Sequence, residues 1–519
     1  MSPISITLLI LAVAVVAFMS GRLPIGIVAI GVSISLWATG ILELGEALAG
    51  FGDPTVIFIA TLFVVSEALD STGVTAWVGQ QVIQRGGEER TPLLLSVCLL
   101  VALVTALISV NGAVAALIPV VVVVATKVGL PPSQMLMPLA FSAHAGSMLA
   151  LTGTPVNIIV SDAAEAAGEG GFAFFEFALV GIPLLAGTLL VIIVFGRRLL
   201  PVRAPTMLPQ DVSEHARELS EQYALPENTE LVSAERGITE VVVSPRSELI
   251  GSHLFPGMVT PSGDLVVIGL QRGGEDLRDR DSVLRAGDTL LVSGTWDALE
   301  ENTAGSEVLA VVDPSTVRRG VPLGVGARRA IVILLAMVVL LATGVVPTVI
   351  AGLLAACAIV LTGVLTPTKA YRAVSWTTVV LVGGMIPLST AFVSTGTADA
   401  IGNALLDVVG DSSPRLALLG ICVITMVLGQ LISNTATVLI MVPIALAVSG
   451  DLGTSVLPFL MALAISGAAS FLTPVATPAN TMVLEPGGYR FGDYWKLGLP
   501  LALLFLAVAV LYVPVVWPL

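Results

Sequence analysis

Leu431-Ile432-Ser433-Asn434-Thr435-Ala436-Thr437-Val438 places small polar residues inside an apolar segment that continues to Pro443. Polar side chains are costly in lipid unless they have partners, so this cluster indicates a functional site. Ser, Asn and Thr are also preferred at helix N-caps, and we expect a helix to begin here. Its unpaired N–H groups and positive dipole end would then face a ligand.

The composition is that of a polytopic membrane protein. Of the 519 residues, 55% are hydrophobic and only 12% are charged, which is far too apolar for a soluble protein of this size. The net charge of −14 comes mostly from residues 201–325, which hold 20 acidic and 10 basic residues. We interpret that block as a solvated domain. The three cysteines stand at unrelated spacings and predict no metal site.

The chain contains an internal repeat. Matching residues recur at offsets of 323 or 324 over more than a hundred positions. The sequence therefore divides into a first repeat over residues 1–200, a hydrophilic insert over 201–325 and a second repeat over 326–519. The matching pairs are Leu23-Pro24 with Val346-Pro347, Thr55 with Thr378, Ser109 with Ser433, Pro119 with Pro443, and Thr154-Pro155-Val156-Asn157 with Thr477-Pro478-Ala479-Asn480.

Each copy is predicted to form seven apolar helical segments. The fourth and fifth segments of each copy meet at a polar tip, Ser109-Val110-Asn111 or Ser433-Asn434-Thr435. Arms of about 15 to 18 residues measure about 23 to 27 Å, less than a bilayer core of about 30 Å. Each pair is therefore two full spans or one re-entrant hairpin. The segments are 4–20, 23–42, 55–73, 92–108, 111–126, 135–160 and 175–197, then 328–343, 347–365, 377–395, 415–432, 435–449, 456–484 and 494–516.

Positive charges set the orientation. If the insert is cytoplasmic, thirteen cations fall inside and only Arg415 falls outside. Both termini then lie outside, and each copy crosses the membrane an odd number of times, so the second copy is inverted. We predict an all-α polytopic protein of the cell (inner or plasma) membrane, with five spans plus one re-entrant hairpin in each repeat and a small α+β cytoplasmic domain between them. The inner cations are Arg22, Arg85, Arg90, Lys127, Arg197, Arg198, Arg203, Arg328, Arg329, Lys369, Arg372, Arg490 and Lys496.

Two further stretches combine helix breakers with oxygen donors. Thr152–Asn157 and Thr473–Asn480 place Gly and Pro in helices that would otherwise span. Proline frees carbonyls, and these with Thr and Asn oxygens suit a hard cation such as Na⁺. The alternative is a plain proline kink that neighbouring helices satisfy. His144 is the ionisable side chain near the middle of segment 135–160, either a proton relay or a packed neutral histidine.

No Lys, Arg, Asp or Glu lies in the tips or in the broken-helix turns. An anionic substrate would therefore be held by helix dipoles, hydroxyls and amides, and bound cations would supply positive charge. Inverted repeats with broken helices are typical of secondary transporters.

Two motifs carry a resemblance to a known family, Ser433–Thr437 followed by Pro443 and Gly153–Asn157. Over about 390 residues of both repeats, the chain resembles the divalent anion/sodium symporter family of the ion transporter superfamily. The resemblance implies a homodimer in which a transport domain moves against a scaffold in an elevator-like motion. It assigns substrate contacts to Ser433, Asn434, Thr435, Ser109, Asn111, Thr154, Pro155, Asn157, Thr477, Pro478 and Asn480. It assigns Na⁺ contacts to Ser109, Asn111, Gly153, Ser433, Asn434 and Ala476.

The first tip departs from the family pattern. Where the family has Ser-Asn-Thr, this chain has Ser109-Val110-Asn111-Gly112. Val110 has no side-chain ligand, so either Asn111 substitutes from the next position or the first Na⁺ site is weakened or lost. Proton coupling and uncoupled transport therefore stay open.

The insert resembles one TrkA C-terminal-like (RCK C-terminal) domain over about residues 236–302. The likeness rests on Gly237–Val243, Ser247–Gly251, Leu265–Gly273 and Leu284–Gly294. The residues predict short strands and no catalytic constellation. The likeness implies either a small regulatory ligand or a purely structural, dimer-stabilising role.

We predict a secondary active transporter of a small divalent anion, sulfate or a di- or tricarboxylate, coupled to Na⁺ in preference to H⁺. The alternative is an ion channel or regulated cation-uptake protein gated by its cytoplasmic domain, although no repeated filter-like carbonyl loop is found. An enzyme is not expected, since the membrane region has no nucleophile or metal constellation. The expected partners are the anion, the bilayer and a second copy of the chain, with no nucleic acid and no cofactor beyond Na⁺.

Overall fold

The structure is a computed structural model. It describes residues 2–20, 22–75, 77–78, 89–203, 223, 233, 235–260, 262–273, 275–277, 282–303, 305–319, 323–401, 404, 413–474 and 476–519. Arg85, which was used above for orientation, and most of residues 204–234 lie outside them. The chain separates into two compact units. One comprises Met1–Glu67, Val82–Leu208 and Val332–Leu519, and the other comprises Ala68–Gln81 and Pro209–Ile331.

The apolar segments of the first copy form helices near the predicted boundaries. The predicted segment 135–160 is divided, because Pro155 cannot continue a helix through the preceding residues and two single 3₁₀ turns, Ser147–Leu149 and Leu151–Gly153, fill the break. A short helix that was not predicted, Leu44–Leu48, follows the second segment. The helices are α1 Pro3–Ser20, α2 Ile25–Ala38, α3 Pro54–Ser71, α4 Arg90–Leu107, α5 Val110–Lys127, α6 Leu136–Gly146, α7 Pro155–Ala166 and α8 Ala178–Leu199.

The insert is a small α+β unit, as predicted. The long strands β1, β3 and β6 bury more than half of their side chains. The strands form an antiparallel five-stranded sheet in the order β4-β3-β6-β1-β7, while β2 pairs with β5. The apolar core includes Val267, Leu290 and Trp296. The likeness to a TrkA C-terminal domain stays a prediction. The elements are β1 Arg236–Val243, β2 His253–Leu254, β3 Leu265–Arg272, β4 Glu275–Asp276, β5 Ser282–Val283, β6 Thr289–Thr295, α9 Trp296–Thr303 and β7 Val308–Ala310.

Asp288 carries the buried charge of this sheet, and replacing its carboxylate should destabilise the sheet. Its carboxylate accepts two hydrogen bonds of 2.7 Å from Arg272 and one of 2.7 Å from Arg285 N. Burial acts to raise the pKa of Asp288, but these partners lower it below its usual value. Ionised Asp288 therefore stabilises the insert above an unfolded-state pKa of about 3.9, and that stability is lost as the pH falls through the folded-state pKa.

We expect Asp288→Asn to speed hydrogen exchange of β3 and β6 amides roughly tenfold at pH 7 in the full-length protein. Asp264→Asn, at an exposed aspartate, is the matched control and should change little. The wild-type sheet should also lose this protection as the pH falls below about 3.9. Equal protection in Asp288→Asn and the wild type would contradict the role of this carboxylate.

The second copy repeats the same order. Its predicted segment 456–484 is again divided, here into α15 and α16, and a short helix Pro367–Ala373 stands 323 positions after Leu44–Leu48. The final segment has a π-helical turn at Val508–Tyr512 before Val513–Val516. The helices are α10 Ala327–Thr343, α11 Thr348–Leu361, α12 Trp376–Thr395, α13 Pro414–Leu428, α14 Asn434–Asp451, α15 Leu457–Ala468, α16 Pro478–Met482 and α17 Tyr494–Ala507.

The two copies interlock. Helix α2 of the first copy packs on α12 of the second, α8 packs on α17, and α7 packs on α14 and α15. Glycine allows a close approach: a Cβ on Gly384 would lie 2.8 Å from the backbone of Ala29, and Ser33 donates a hydrogen bond to Gly384 O at 2.9 Å. Helix α12 also packs on α14 of the second tip.

The described part of the chain has six helical stretches that are long and apolar enough to cross a membrane, and six shorter apolar helices. Each tip joins helices of 15 to 18 residues. The polytopic all-α class with an inserted sheet is confirmed. The crossing of each tip as a re-entrant hairpin stays a prediction. The six long stretches are Leu44–Ser71, Arg90–Leu107, Ala178–Leu199, Trp376–Thr395, Asn434–Asp451 and Phe491–Val516.

Candidate functional site

Both polar tips are helix starts that a serine caps. Ser109 precedes α5, and its side-chain oxygen accepts a hydrogen bond from Gly112 N at 3.2 Å. Ser433 precedes α14 and accepts from Ala436 N at 3.3 Å. The cap predicted for the second tip is confirmed, and the first tip has the same geometry. The other N–H groups of each first turn, and the positive end of each helix, face the space in front.

The two tips differ in the position of the asparagine. Asn434 is the first residue of α14, whereas Asn111 is the second residue of α5 because Val110 stands first. Successive helix positions are about 100° apart, so the two amides leave their helices in different directions. Asn434 Oδ1 accepts a 2.5 Å hydrogen bond from Ser470 in the second broken helix, while Asn111 is exposed. The tips are therefore not equivalent.

The two broken helices restart in the same way. Thr154 caps α7 and accepts from Val156 N, and Thr477 caps α16 and accepts from Asn480 N. A proline follows each threonine at the first helical position, where its missing N–H costs nothing. The matched Thr-Pro pairs thus fix the start of each half-helix.

An asparagine closes the break in each copy. Asn157 and Asn480 each donate through Nδ2 to two carbonyls of the break. Carbonyls that the break leaves outside a continuous helix are thereby satisfied. Among the residues that the structure describes, the Oδ1 atom of Asn157 is buried without a hydrogen-bond partner. The Oδ1 atom of Asn480 is likewise buried, and the His144 ring lies beside Asn480. The Nδ2 distances are 2.9 Å to Ser147 O and 2.9 Å to Ala150 O from Asn157, and 2.7 Å to Ser470 O and 3.2 Å to Thr473 O from Asn480.

The tips and broken helices line a cavity of about 980 Å³. Its described lining is apolar, hydroxyl-bearing or amide-bearing, and His144 is the one ionisable side chain in that lining. The exposed residues of the described lining, which mark its mouth, are Leu23, Pro24, Asn111, Thr377, Leu431, Pro478 and Thr481. The predicted site residues that line it are Ser109, Asn111, Gly153, Thr154, Pro155, Ser433, Asn434, Thr435, Ala476, Thr477 and Pro478.

Two predicted site residues lie behind the cavity wall. Asn157 and Asn480 are fully buried and do not line the cavity among the described residues. In this conformation they hold the breaks in shape. The structure therefore brings together eleven of the thirteen predicted residues and places these two as supports.

His144 joins the two repeats at the cavity wall. It lies in the last turn of α6 of the first copy, and its Nε2 lies 3.2 Å from Thr477 Oγ1 of the second copy. Phe471 meets the ring edge to face at 5.9 Å between centroids, and Asn480 also interacts with it. The histidine is thus packed and hydrogen-bonded, and it also lines the cavity, so both interpretations given above remain compatible with its position.

Three supporting residues were not singled out in the sequence. Ser147 and Ser470, which contribute the carbonyls at the breaks, are related by the same offset of 323, so a longer repeat comparison would have found them. Gln430 binds the second break, donating to Ala469 O at 3.1 Å and accepting from Leu472 N at 3.0 Å. Its counterpart in the first copy is apolar, so the repeat gave no signal for it.

Comparisons with known proteins place the chain among transporters. The citrate transporter family (CitMHS) matches residues 15–419 and 406–519. The uncharacterized transporter YfbS of Escherichia coli is 30% identical, over 98% of this chain and 98% of that protein. The probable sodium/sulfate cotransporter 3 of Chlamydomonas reinhardtii is 28% identical, over 53% of this chain and 31% of that protein.

A solved structure has the same fold. The YdaH transporter of Alcanivorax borkumensis matches with a TM-score of 0.50 at 16% sequence identity, over 92% of this chain and 88% of that chain. At this identity the likeness concerns the fold alone.

Proposed function

The chain belongs to the citrate transporter family, and on that premise we propose that it is a secondary active transporter of a small divalent anion, sulfate or a di- or tricarboxylate. The observation that supports this proposal is the cavity between two serine-capped helix starts, in which the described lining has no carboxylate or fixed cation. Helix N-termini bind sulfate, phosphate and carboxylate groups through unpaired N–H groups and the helix dipole. The sodium/sulfate names of several relatives favour the same substrate class.

The proposed coupling ion is Na⁺, with H⁺ as the alternative. A dianion in a cavity of this kind needs compensating charge beyond two partial dipoles. Ser109, Ser433 and Asn434, with the backbone at Gly153 and Ala476, are the proposed oxygen ligands, since hard cations take hydroxyl, amide and carbonyl oxygens. The buried Oδ1 atoms of the two break asparagines add acceptors nearby.

The proposed mechanism is an elevator-type alternating access. The helix group around α2 and α12 would be the scaffold, and the group with the tips and broken helices would move. The cavity mouth lies beside Leu23-Pro24 and the start of α12, next to Arg22 and Arg372, which the charge distribution assigns to the cytoplasm. On this proposal the conformation faces inward, with the insert cytoplasmic and both termini outside. A homodimer and a small ligand for the insert complete the proposal.

Uptake by purified protein in proteoliposomes tests this function. We expect saturable uptake of sulfate, succinate or citrate that a Na⁺ gradient accelerates, and stabilisation against heat by the same anion in detergent. Vesicles that accumulate none of these anions under Na⁺ or H⁺ gradients would overturn the proposal. Single-channel currents in a planar bilayer would instead show that the protein is an ion channel.

His144→Gln separates the two coupling ions. Glutamine keeps a hydrogen-bonding group beside Thr477 but cannot take up a proton between pH 5 and 8. If Na⁺ is the coupling ion, we expect the pH profile of uptake to stay unchanged and the rate to fall less than about tenfold. His253→Gln, at an exposed histidine of the insert, is the control. If uptake depends on pH in the wild type and in His253→Gln but not in His144→Gln, the coupling ion is H⁺ and not Na⁺.

A further inference from the structure

A hydrogen bond joins α3 to α7 through two residues that do not belong to the described cavity lining. Thr55, in the first turn of α3, donates through its hydroxyl to Asp162 Oδ2 near the end of α7. Thr55 is buried and Asp162 is half-buried. Helix α7 carries the cavity wall at its other end, through Pro155. The contact therefore holds α7, which contributes to the cavity wall, against α3.

The internal repeat supplies a second pair of the same chemistry. The offset of 323 relates Thr55 to Thr378 and Asp162 to Glu485. Each acidic residue stands five positions after the asparagine that closes its break, Asn157 or Asn480. A threonine hydroxyl and a carboxyl group are thus present at equivalent places in both copies.

The second pair stands on the open side. Thr378 lines the cavity, and its hydroxyl lies 3.0 Å from that of Ser375. Thr481 and Met482 line the same cavity, about one helical turn before Glu485. Glu485 is exposed and has other interactions in this conformation, so pairing with Thr378 would require an exchange of partners.

We propose that Thr55–Asp162 and Thr378–Glu485 are two repeat-related latches that close opposite sides of the cavity in alternation. In the conformation seen, the first latch is formed and the cavity is open beside Thr378. In the opposite conformation the first latch breaks, and Thr378 meets Glu485. The four side chains are positioning residues, and the inference rests on the proposed function, because only a transporter must expose one site to two sides.

Paired cysteines test the latches without any substrate. Cys98, Cys357 and Cys422 are first replaced by serine or alanine, and Val110→Cys in the cavity lining serves as the reporter for a membrane-impermeant maleimide applied from either side. Cross-linked Thr55→Cys/Asp162→Cys should leave the reporter reactive from one side only. Cross-linked Thr378→Cys/Glu485→Cys should leave it reactive from the other side only. A second pair that does not cross-link, or that leaves labelling on the same side as the first, would overturn the inference.

Uncrosslinked variants give an independent readout. The measured quantity is the ratio of the rates at which Val110→Cys is labelled from the two sides of the membrane. Thr55→Val should increase labelling from the side that is closed in the conformation seen, and Thr378→Val should decrease it. Each change should be roughly threefold, the size expected for one hydrogen bond. Thr61→Val on the same helix, whose hydroxyl donates to Phe58 O and to no other group among the described residues, should leave the ratio unchanged. Equal ratios in all three variants would contradict the latches. Because labelling needs no anion, a switching reporter without anion uptake would reject the substrate class and keep the latches.

Discussion

Asn434→Ala should lower anion uptake by about a hundredfold, equivalent to roughly 3 kcal/mol of lost binding. The change removes the amide at the first position of α14, inside the cavity. It also leaves the hydroxyl of Ser470, which is 1% exposed, without the acceptor that it contacts at 2.5 Å. A buried polar group without a partner costs about 1–3 kcal/mol, so the tip should separate from the broken helix. Initial uptake rates in proteoliposomes measure the effect.

Two controls isolate this effect. Asn302→Ala removes an amide that donates to Ala298 O within α9 of the insert, and uptake should be unchanged. Asn111→Ala at the other tip should reduce uptake less, because that amide stands one helix position away and lies exposed. Ser433→Ala, compared with Ser433→Thr, tests the cap itself. Full uptake by a well-folded Asn434→Ala protein would mean that the second tip is only a helix cap.

Gly153→Ala should both lower the unfolding temperature and reduce uptake roughly tenfold or more, since about 1.4 kcal/mol corresponds to each tenfold change. A Cβ at this position would lie 2.1 Å from Ser147 O and 2.8 Å from Ser147 C. These are backbone atoms, so relief requires movement of the break that holds Thr154 and Asn157. Overpacking of this kind costs typically about 1–3 kcal/mol. Thermal unfolding in detergent and uptake should change together.

Gly31→Ala is the matched control for that substitution. Gly31 lies within α2, and a Cβ there would meet nothing within 4 Å. Alanine is a better helix former than glycine by roughly 0.5–1 kcal/mol, so this variant should be slightly more stable and should transport normally. The second copy already has Ala476 at the position equivalent to Gly153. A Gly153→Ala protein as stable and active as the wild type would show that the first break can adjust its backbone freely.

The helices and the site residues could be predicted to different extents. Apolar runs and the constant repeat offset predict the helix order, the insert and the two polar tips, because these depend on local hydrophobicity and on residue identity. The sequence also predicts that Thr-Pro pairs break two helices. It does not predict that Asn157 and Asn480 face the breaks, since the direction of a side chain depends on which carbonyls the chain leaves beside it.

The sequence alone therefore determined the membrane class, the duplication and the polar residues at the tips and breaks that line the cavity. Only the tertiary structure decided that Asn434 is held by Ser470 while Asn111 is exposed, that His144 of one copy touches Thr477 of the other, and that Thr55 meets Asp162. These contacts join residues 36, 333 and 107 positions apart. The physical reason is that local preferences fix where helices begin and break, whereas the packing of the two interlocked copies fixes which side chains meet.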